Sequence, residues 1–95
     1  MDGGLGLAAK VRPCQVLSVP ALDQDRSLAT VVAHTTSARG SRFEVAVPMP
    51  FLRTGVFDAQ NLVTIPHAKL IRKLGVLSTE QLAKVEGMVR AWLGL

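Results

Sequence analysis

Residues 27–47 constrain this chain more than any other stretch. Leu28-Ala29-Thr30-Val31-Val32-Ala33 is a nearly continuous apolar run, short and rich in valine, which is the pattern of a buried strand. His34 and three hydroxyl residues in a row, Thr35-Thr36-Ser37, break it, and Arg39-Gly40-Ser41 supplies a turn. Arg42-Phe43-Glu44-Val45-Ala46-Val47 then alternates with period two. That spacing puts Phe43, Val45 and Val47 on one strand face and Arg42, Glu44 and Ala46 on the other. Together with a strand just before them, the two runs predict an antiparallel meander.

The preceding strand spans residues 14–19. Pro13 is acceptable as its first residue, where a missing N–H costs least, and it holds Arg12 in an extended conformation. Pro20 ends the strand, and residues 21–26 form a polar hairpin connection. Residues 1–9 are glycine-rich and read as a mobile lead-in or loop. Beyond Val47, two prolines make residues 48–55 a loop that packs Phe51 against the sheet. Val56-Phe57 and residues 62–65 read as two short strands around Asp58-Ala59-Gln60-Asn61. Pro66-His67-Ala68 reads as a turn, and residues 69–77 read as a strand near their end. Residues 78–93 form the clearest element, an amphipathic helix. Ser78 with Gln81 makes a capping box, Leu82, Val85, Val89 and Trp92 define one apolar face, and Gly94 stops the helix. Trp92 is expected in the core.

Ninety-five residues make one domain, 1–95, and 48% apolar with 19% charged residues excludes a disordered chain. The net charge of +4 favours polyanions or acidic peptides as partners. Tyrosine is absent and aromatics are only 4%, which argues against a base-stacking platform. A single cysteine, Cys14, excludes an internal disulfide and a cysteine zinc site and reads as a small apolar strand residue. No stretch approaches the roughly 18 apolar residues of a membrane span, and the N-terminus lacks a secretory pattern. A soluble, cytoplasmic protein without membrane contact is expected.

Hydroxyls and fixed cations at the mouth of a strand suit a phosphate-bearing ligand better than a core. The working reading is an RNA-cutting site, which needs a base, an acid and a group that stabilises charge on phosphorus. Arg12 suits the last role, since a guanidinium is a planar, permanently charged clamp and no base. Thr35 can position the phosphate or the 2′-hydroxyl. His34 has the right ordinary pKa for proton transfer, near 6.5, although alternation points it away from Thr35. Each of these residues also has a bland reading. Arg12 can be a strand-edge gatekeeper, residues 35–37 a turn-forming cluster, and Lys69, Arg72 and Lys73 a solvated face instead of an RNA or protein-partner contact.

Arg12-Pro13 opening a strand that ends in Leu17-Ser18, then Thr35-Thr36-Ser37 with Gly40 and Phe43-Glu44-Val45, resembles the MazF/PemK toxins. The helix ending in Trp92-Leu93-Gly94-Leu95 is similar too, so the resemblance covers residues 10–95. It implies a mainly β fold with a C-terminal α-helix: a small half-open antiparallel β-barrel of the CcdB/PemK/MazF type. It further implies a homodimer that cleaves single-stranded RNA through attack of the ribose 2′-hydroxyl, without metal or other cofactor, and is held inactive by a cognate antitoxin, in complex with which it binds DNA. Arg12 and Thr35 fall on the catalytic arginine and threonine, whereas His34 is not inherited from the family and stands as an additional catalytic candidate. Lys10, Thr36, Ser37, Arg39 and Gln60 are the expected RNA-binding residues.

Three departures stand out. The family's first strand, of Gly-Asp/Glu-x-x-x-Val-Asp type, has no full counterpart before Met1; Asp2-Gly3-Gly4-Leu5-Gly6 can be the remnant of that strand's end and of its loop, and the rest of its place is expected to be open. Gln15 occupies a normally apolar position and is expected to face that opening. Asp58-Ala59-Gln60 shifts the usual acid by one place. The missing strand allows an inactive remnant that binds only antitoxin. A CcdB-like gyrase poison is the other alternative, although Leu93 separates its expected Trp-Gly pair.

Overall fold

The computed structural model describes residues 12–95 and the backbone of residues 5–7. Among the described residues, six strands form one sheet: β1 (Leu5–Leu7), β2 (Pro13–Val16), β3 (Leu28–Thr35), β4 (Glu44–Val45), β5 (Val56–Pro66) and β6 (Lys73–Gly75). A single 3-10 turn, His67–Lys69, precedes β6, and one helix, α1 (Thr79–Leu93), closes the chain. The strand order is β4-β5-β3-β2-β1-β6, with every neighbouring pair antiparallel. This is the mainly β, curled half-barrel with a C-terminal helix that the sequence predicts.

The valine-rich β3 is the centre of the sheet because its side chains are apolar on both faces. Val32 and Phe57 lie on one face with Val47, Leu77 and Val85 of α1. Cys14, Val16, Ala29 and Val31 form a second cluster on the other face. The helix is fixed at both ends. The Ser78 hydroxyl accepts from the Gln81 N–H (3.1 Å), the Gln81 side chain accepts from the Ser78 N–H (2.8 Å), and Gly94 ends the last turn with φ +74°. Trp92 departs from expectation. It is 43% exposed and stacks edge-on against Phe43 at the margin, 5.2 Å between ring centres.

The expected meander is corrected. β4 pairs with β5 and not with β3, so β5, arriving later in the chain, inserts between two strands that are consecutive in sequence. Strand pairing is non-local, and period-two alternation fixes which face a residue takes, not which strand lies beside it. The strand expected over residues 42–47 shrinks to Glu44–Val45 as the chain leaves toward Pro48, and that over 14–19 stops at Val16. The loop expected over residues 1–9 is also corrected at its centre. Leu5–Leu7 pairs with β2 and β6, as a remnant of a first strand would. Gln15 accordingly faces no groove: it is buried, lies across from Leu5, and donates to the Val16 carbonyl (2.8 Å). Phe51 lies over Gly75 yet remains 39% exposed.

The two short strands expected at residues 56–57 and 62–65 are one strand interrupted by a bulge. Val32 pairs with Leu62 but the next residue, Ala33, pairs with Asp58, leaving residues 59–61 as an insertion. An odd insertion inverts the side-chain alternation. Phe57 thereby joins Leu62 in the helix-side core, and Asp58 turns to the opposite face. Phe57 is fully buried. Phe57→Ala is expected to destabilise the fold by about 3–5 kcal/mol, read as a lowered urea midpoint at unchanged slope.

Candidate functional site

The site forms where β2 begins, β3 ends and β5 begins. Cys14 pairs with Ala33, the outermost pair of β2 with β3, and Arg12 and Thr35 lie two residues beyond it, one on each strand's end. Alternation along the strands then gives one sheet face Arg12, Thr35, Asp58 and Glu44, because Ala33 pairs with Asp58 and Asp58 with Glu44. These residues line a cleft of about 840 Å³, together with Thr36, Ser37 and Arg39 from the connecting loop. Arg53, Arg72, Phe51 and Asn61 complete the parts of the wall that matter for its chemistry.

Four guanidinium groups, Arg12, Arg39, Arg53 and Arg72, therefore border one cavity. All four residues are exposed, and none forms an ion pair with a described carboxylate. Clustered cations without internal counter-charges are poised for an external anion. The Ser37 N–H donates to the Thr35 hydroxyl oxygen (3.0 Å), which leaves the Thr35 O–H free to donate to a ligand.

Glu44 builds the loop. Its carboxylate accepts from three successive backbone N–H groups, those of Arg39 (2.8 Å), Gly40 (2.8 Å) and Ser41 (3.0 Å). Gly40 takes φ +80°, and a left-handed residue within such a run turns consecutive N–H groups toward one anion. The Ser41 hydroxyl accepts from the Phe43 N–H (3.0 Å) and donates to the Gln60 side chain (3.4 Å).

His34 is buried behind this face. It pairs with Phe57 across the strands and meets that ring edge-on, 5.0 Å between centres at 73°. Burial lowers its pKa below the ordinary histidine value, favouring the neutral imidazole. Gly55 allows the close packing here. A β-carbon at Gly55 would overlap the Thr35 carbonyl oxygen and approach the His34 Cε1 atom at 2.9 Å. At the end of β3, His34 still forms part of the cleft wall.

A family profile described as PemK-like, MazF-like toxin of type II toxin–antitoxin system matches residues 6–93. The chain belongs to this family. A chain of the MazE–MazF crystal structure (form III) from Deinococcus radiodurans is 27% identical with a TM-score of 0.81, the match covering 98% of this chain and 94% of that one. A MazF toxin of Mycobacterium tuberculosis is 26% identical with a TM-score of 0.79, over 97% and 95% of the two chains. An endoribonuclease from a mycobacterial species shares the fold with a TM-score of 0.82 at 23% identity, over 100% and 91%. No curated protein matches the chain significantly.

In this MazF-like toxin, the residues singled out in the sequence come together unevenly. Arg12, His34, Thr35, Thr36, Ser37 and Arg39 all border the cleft. Gln60 does not line it; the bulge carries Gln60 outward, where its side chain meets Ser41. Lys10 lies outside the described residues. Arg53, Asn61 and the loop-holding role of Glu44 had no local signal. Arg53 sits in a proline-punctuated loop, and only the folded chain brings it to the same cleft as Arg12. Arg72 belonged to a basic run whose direction alternation left open. Among the described residues no helix is long and apolar enough to cross a membrane, and no three His, Cys, Asp or Glu side chains cluster as a metal site.

The burial of His34 has a pH signature. Its folded pKa lies below the unfolded value, so the unfolded chain binds more protons in acid, and stability rises with pH. This contribution is complete above the unfolded pKa of about 6.5 and is lost as pH falls through the folded value. Urea midpoints measured from pH 7.5 downward should fall in the wild type. His34→Phe, which keeps the ring and removes the titration, should flatten that fall.

Proposed function

We propose that this toxin is an endoribonuclease that cleaves single-stranded RNA through attack of the ribose 2′-hydroxyl on the adjacent phosphorus. The observation that carries the reading is that Arg12 and Thr35 line one cleft bordered by three further arginines without a described ion-pair partner. The attacking 2′-oxygen forms a bond to phosphorus, the bond to the 5′-oxygen breaks, and the products are a 2′,3′-cyclic phosphate and a 5′-hydroxyl. The proton lost from the 2′-hydroxyl is balanced by one delivered to the 5′-oxygen. Arg12 holds two phosphate oxygens and stabilises the charge that develops on them. Thr35 donates its free O–H to the phosphate or orients the 2′-hydroxyl. Arg39 and the hydroxyls of Thr36 and Ser37 grip neighbouring phosphates and sugars.

His34 is the imidazole of the cleft wall, and its neutral form can accept the 2′ proton. A second reading gives it a packing role, favoured by its edge-on contact with Phe57 and 4% exposure. The toxin acts in the cytoplasm as a homodimer under control of a cognate antitoxin, as the family membership and the MazE–MazF neighbour support. An acidic, apolar antitoxin tail laid along the cationic cleft would exclude RNA by charge competition.

Purified protein incubated with long single-stranded RNA in chelator should release fragments bearing 5′-hydroxyl ends. Arg12→Ala should slow this by about 10²–10³-fold, the usual cost of removing one charge-stabilising donor. Full activity in Arg12→Ala, or no cleavage by the wild type, would refute the assignment, and an inactive wild type that still bound antitoxin would be a toxin remnant. For His34 the measurement is the pH–rate profile. Loss of its acidic limb in His34→Gln identifies the proton acceptor, and an unchanged profile leaves packing.

A further inference from the structure

We infer that Asp58, assisted by Asn61, reads the edge of a nucleobase that carries an exocyclic amino group. The inference rests on the RNA-cleaving reading and specifies what the same cleft recognises besides phosphate. A carboxylate sharing a cavity with four guanidiniums would ordinarily form an ion pair, yet Asp58 makes none with a described cation. Its position is also electrostatically unfavourable, because its cross-strand partner on the same face is Glu44.

The two acids differ in what they have left to offer. The Glu44 carboxylate is engaged by three backbone N–H groups. Asp58 accepts only the Gln60 N–H, at Oδ1 (3.0 Å), which leaves Oδ2 without a partner among the described residues. The bulge of residues 59–61 is what brings this acceptor to the cleft face, and the exposed Asn61 amide stands at its other end in the same wall.

A free carboxylate repels phosphate, so the ligand group beside it is neutral and donates hydrogen bonds. Guanine presents two adjacent donors, N1–H and the N2 amino group, which match a carboxylate at two points. Cytosine and adenine present one amino donor each, N4 and N6. Uracil has no amino group, and its one donor, N3–H, is flanked by two carbonyl oxygens that would lie against the Asp58 carboxylate. Asn61, with both donors and an acceptor, can satisfy the remaining edge of the base. Phe51, partly exposed in the cleft wall, offers a ring face for stacking.

The test uses a random-sequence pool of 2′-fluoro RNA, which lacks the attacking hydroxyl, and compares pools before and after binding to the intact toxin. The wild type should enrich an amino-bearing base at one position and deplete uracil there. Removing that amino group, by inosine for guanosine, nebularine for adenosine or zebularine for cytidine, should weaken anisotropy-measured binding about tenfold. Asp58→Asn keeps an Oδ1 acceptor for the Gln60 N–H, and hence the turn, but should lose both the enrichment and the sensitivity to the amino group. The same enrichment and sensitivity in Asp58→Asn, or selection of uracil or of no base by a wild type that binds the pool, would overturn the inference. Base-selective binding with no cleavage of natural RNA supports the inference and refutes only the nuclease reading. Failure to bind the pool at all overturns the inference, and cleavage of natural RNA then decides the nuclease reading separately.

Discussion

The site depends on an odd insertion in one strand. In a regular β5, Asp58 would point to the same side as Leu62, and a carboxylate would enter the core under α1 while Phe57 faced solvent. Three extra residues between Asp58 and Leu62 reverse that alternation. The bulge therefore fixes two things together. It places a fully buried phenylalanine in the helix-side core and keeps the acid on the same face as Thr35 and Arg12. A change that lengthened or shortened the bulge by one residue would exchange those faces, so core packing and cleft chemistry are bound to one local count.

The cleft is electrostatically unfinished. Four arginines border one cleft without a described ion-pair partner, and two acids face each other across β4 and β5. Such arrangements cost stability in the isolated chain and persist where an external ligand compensates them. Glu44 shows how one of these charges is used internally: its carboxylate replaces the missing counter-charge of a tight loop with three oriented N–H dipoles. The loop then presents Arg39 from a fixed backbone instead of a wandering one, which limits the entropy lost when a phosphate is bound.

What was legible in the sequence followed from local physics. The capping box at Ser78 and Gln81 acts over three residues and was visible without knowledge of the rest of the fold. β3 was equally plain, since a short valine-rich run bounded by breakers has few other outcomes. Arg12 and Thr35 were found by a resemblance of motif and spacing, and the register of β2 with β3 accounts for their proximity. The misread features are non-local. Nothing near Glu44 or Val45 discloses that β5 will insert beside it. Leu5–Leu7 lies among glycines, and its pairing depends on β2 and β6 from distant parts of the chain. Trp92 has the correct helical phase for the core, but it sits in the last turn, where the sheet beneath the helix runs out. Arg53 joins the cleft only because a proline-rich loop returns across it.

The junction of Gly55, Thr35 and His34 connects these two levels of organisation. Gly55 brings the chain close against the Thr35 carbonyl just before β5 begins, with no room for a side chain. His34 fills the space behind, its ring edge against Phe57. The backbone that carries Thr35 is thus held by a core contact on one side and a close backbone approach on the other. A hydroxyl positioned in this way needs little reordering to meet a phosphate, which is the condition under which a weak donor becomes an effective one. Neutral His34 serves that purpose whether or not it moves a proton, because a charged imidazole packed against Phe57 would carry a desolvation penalty into the wall of the cleft.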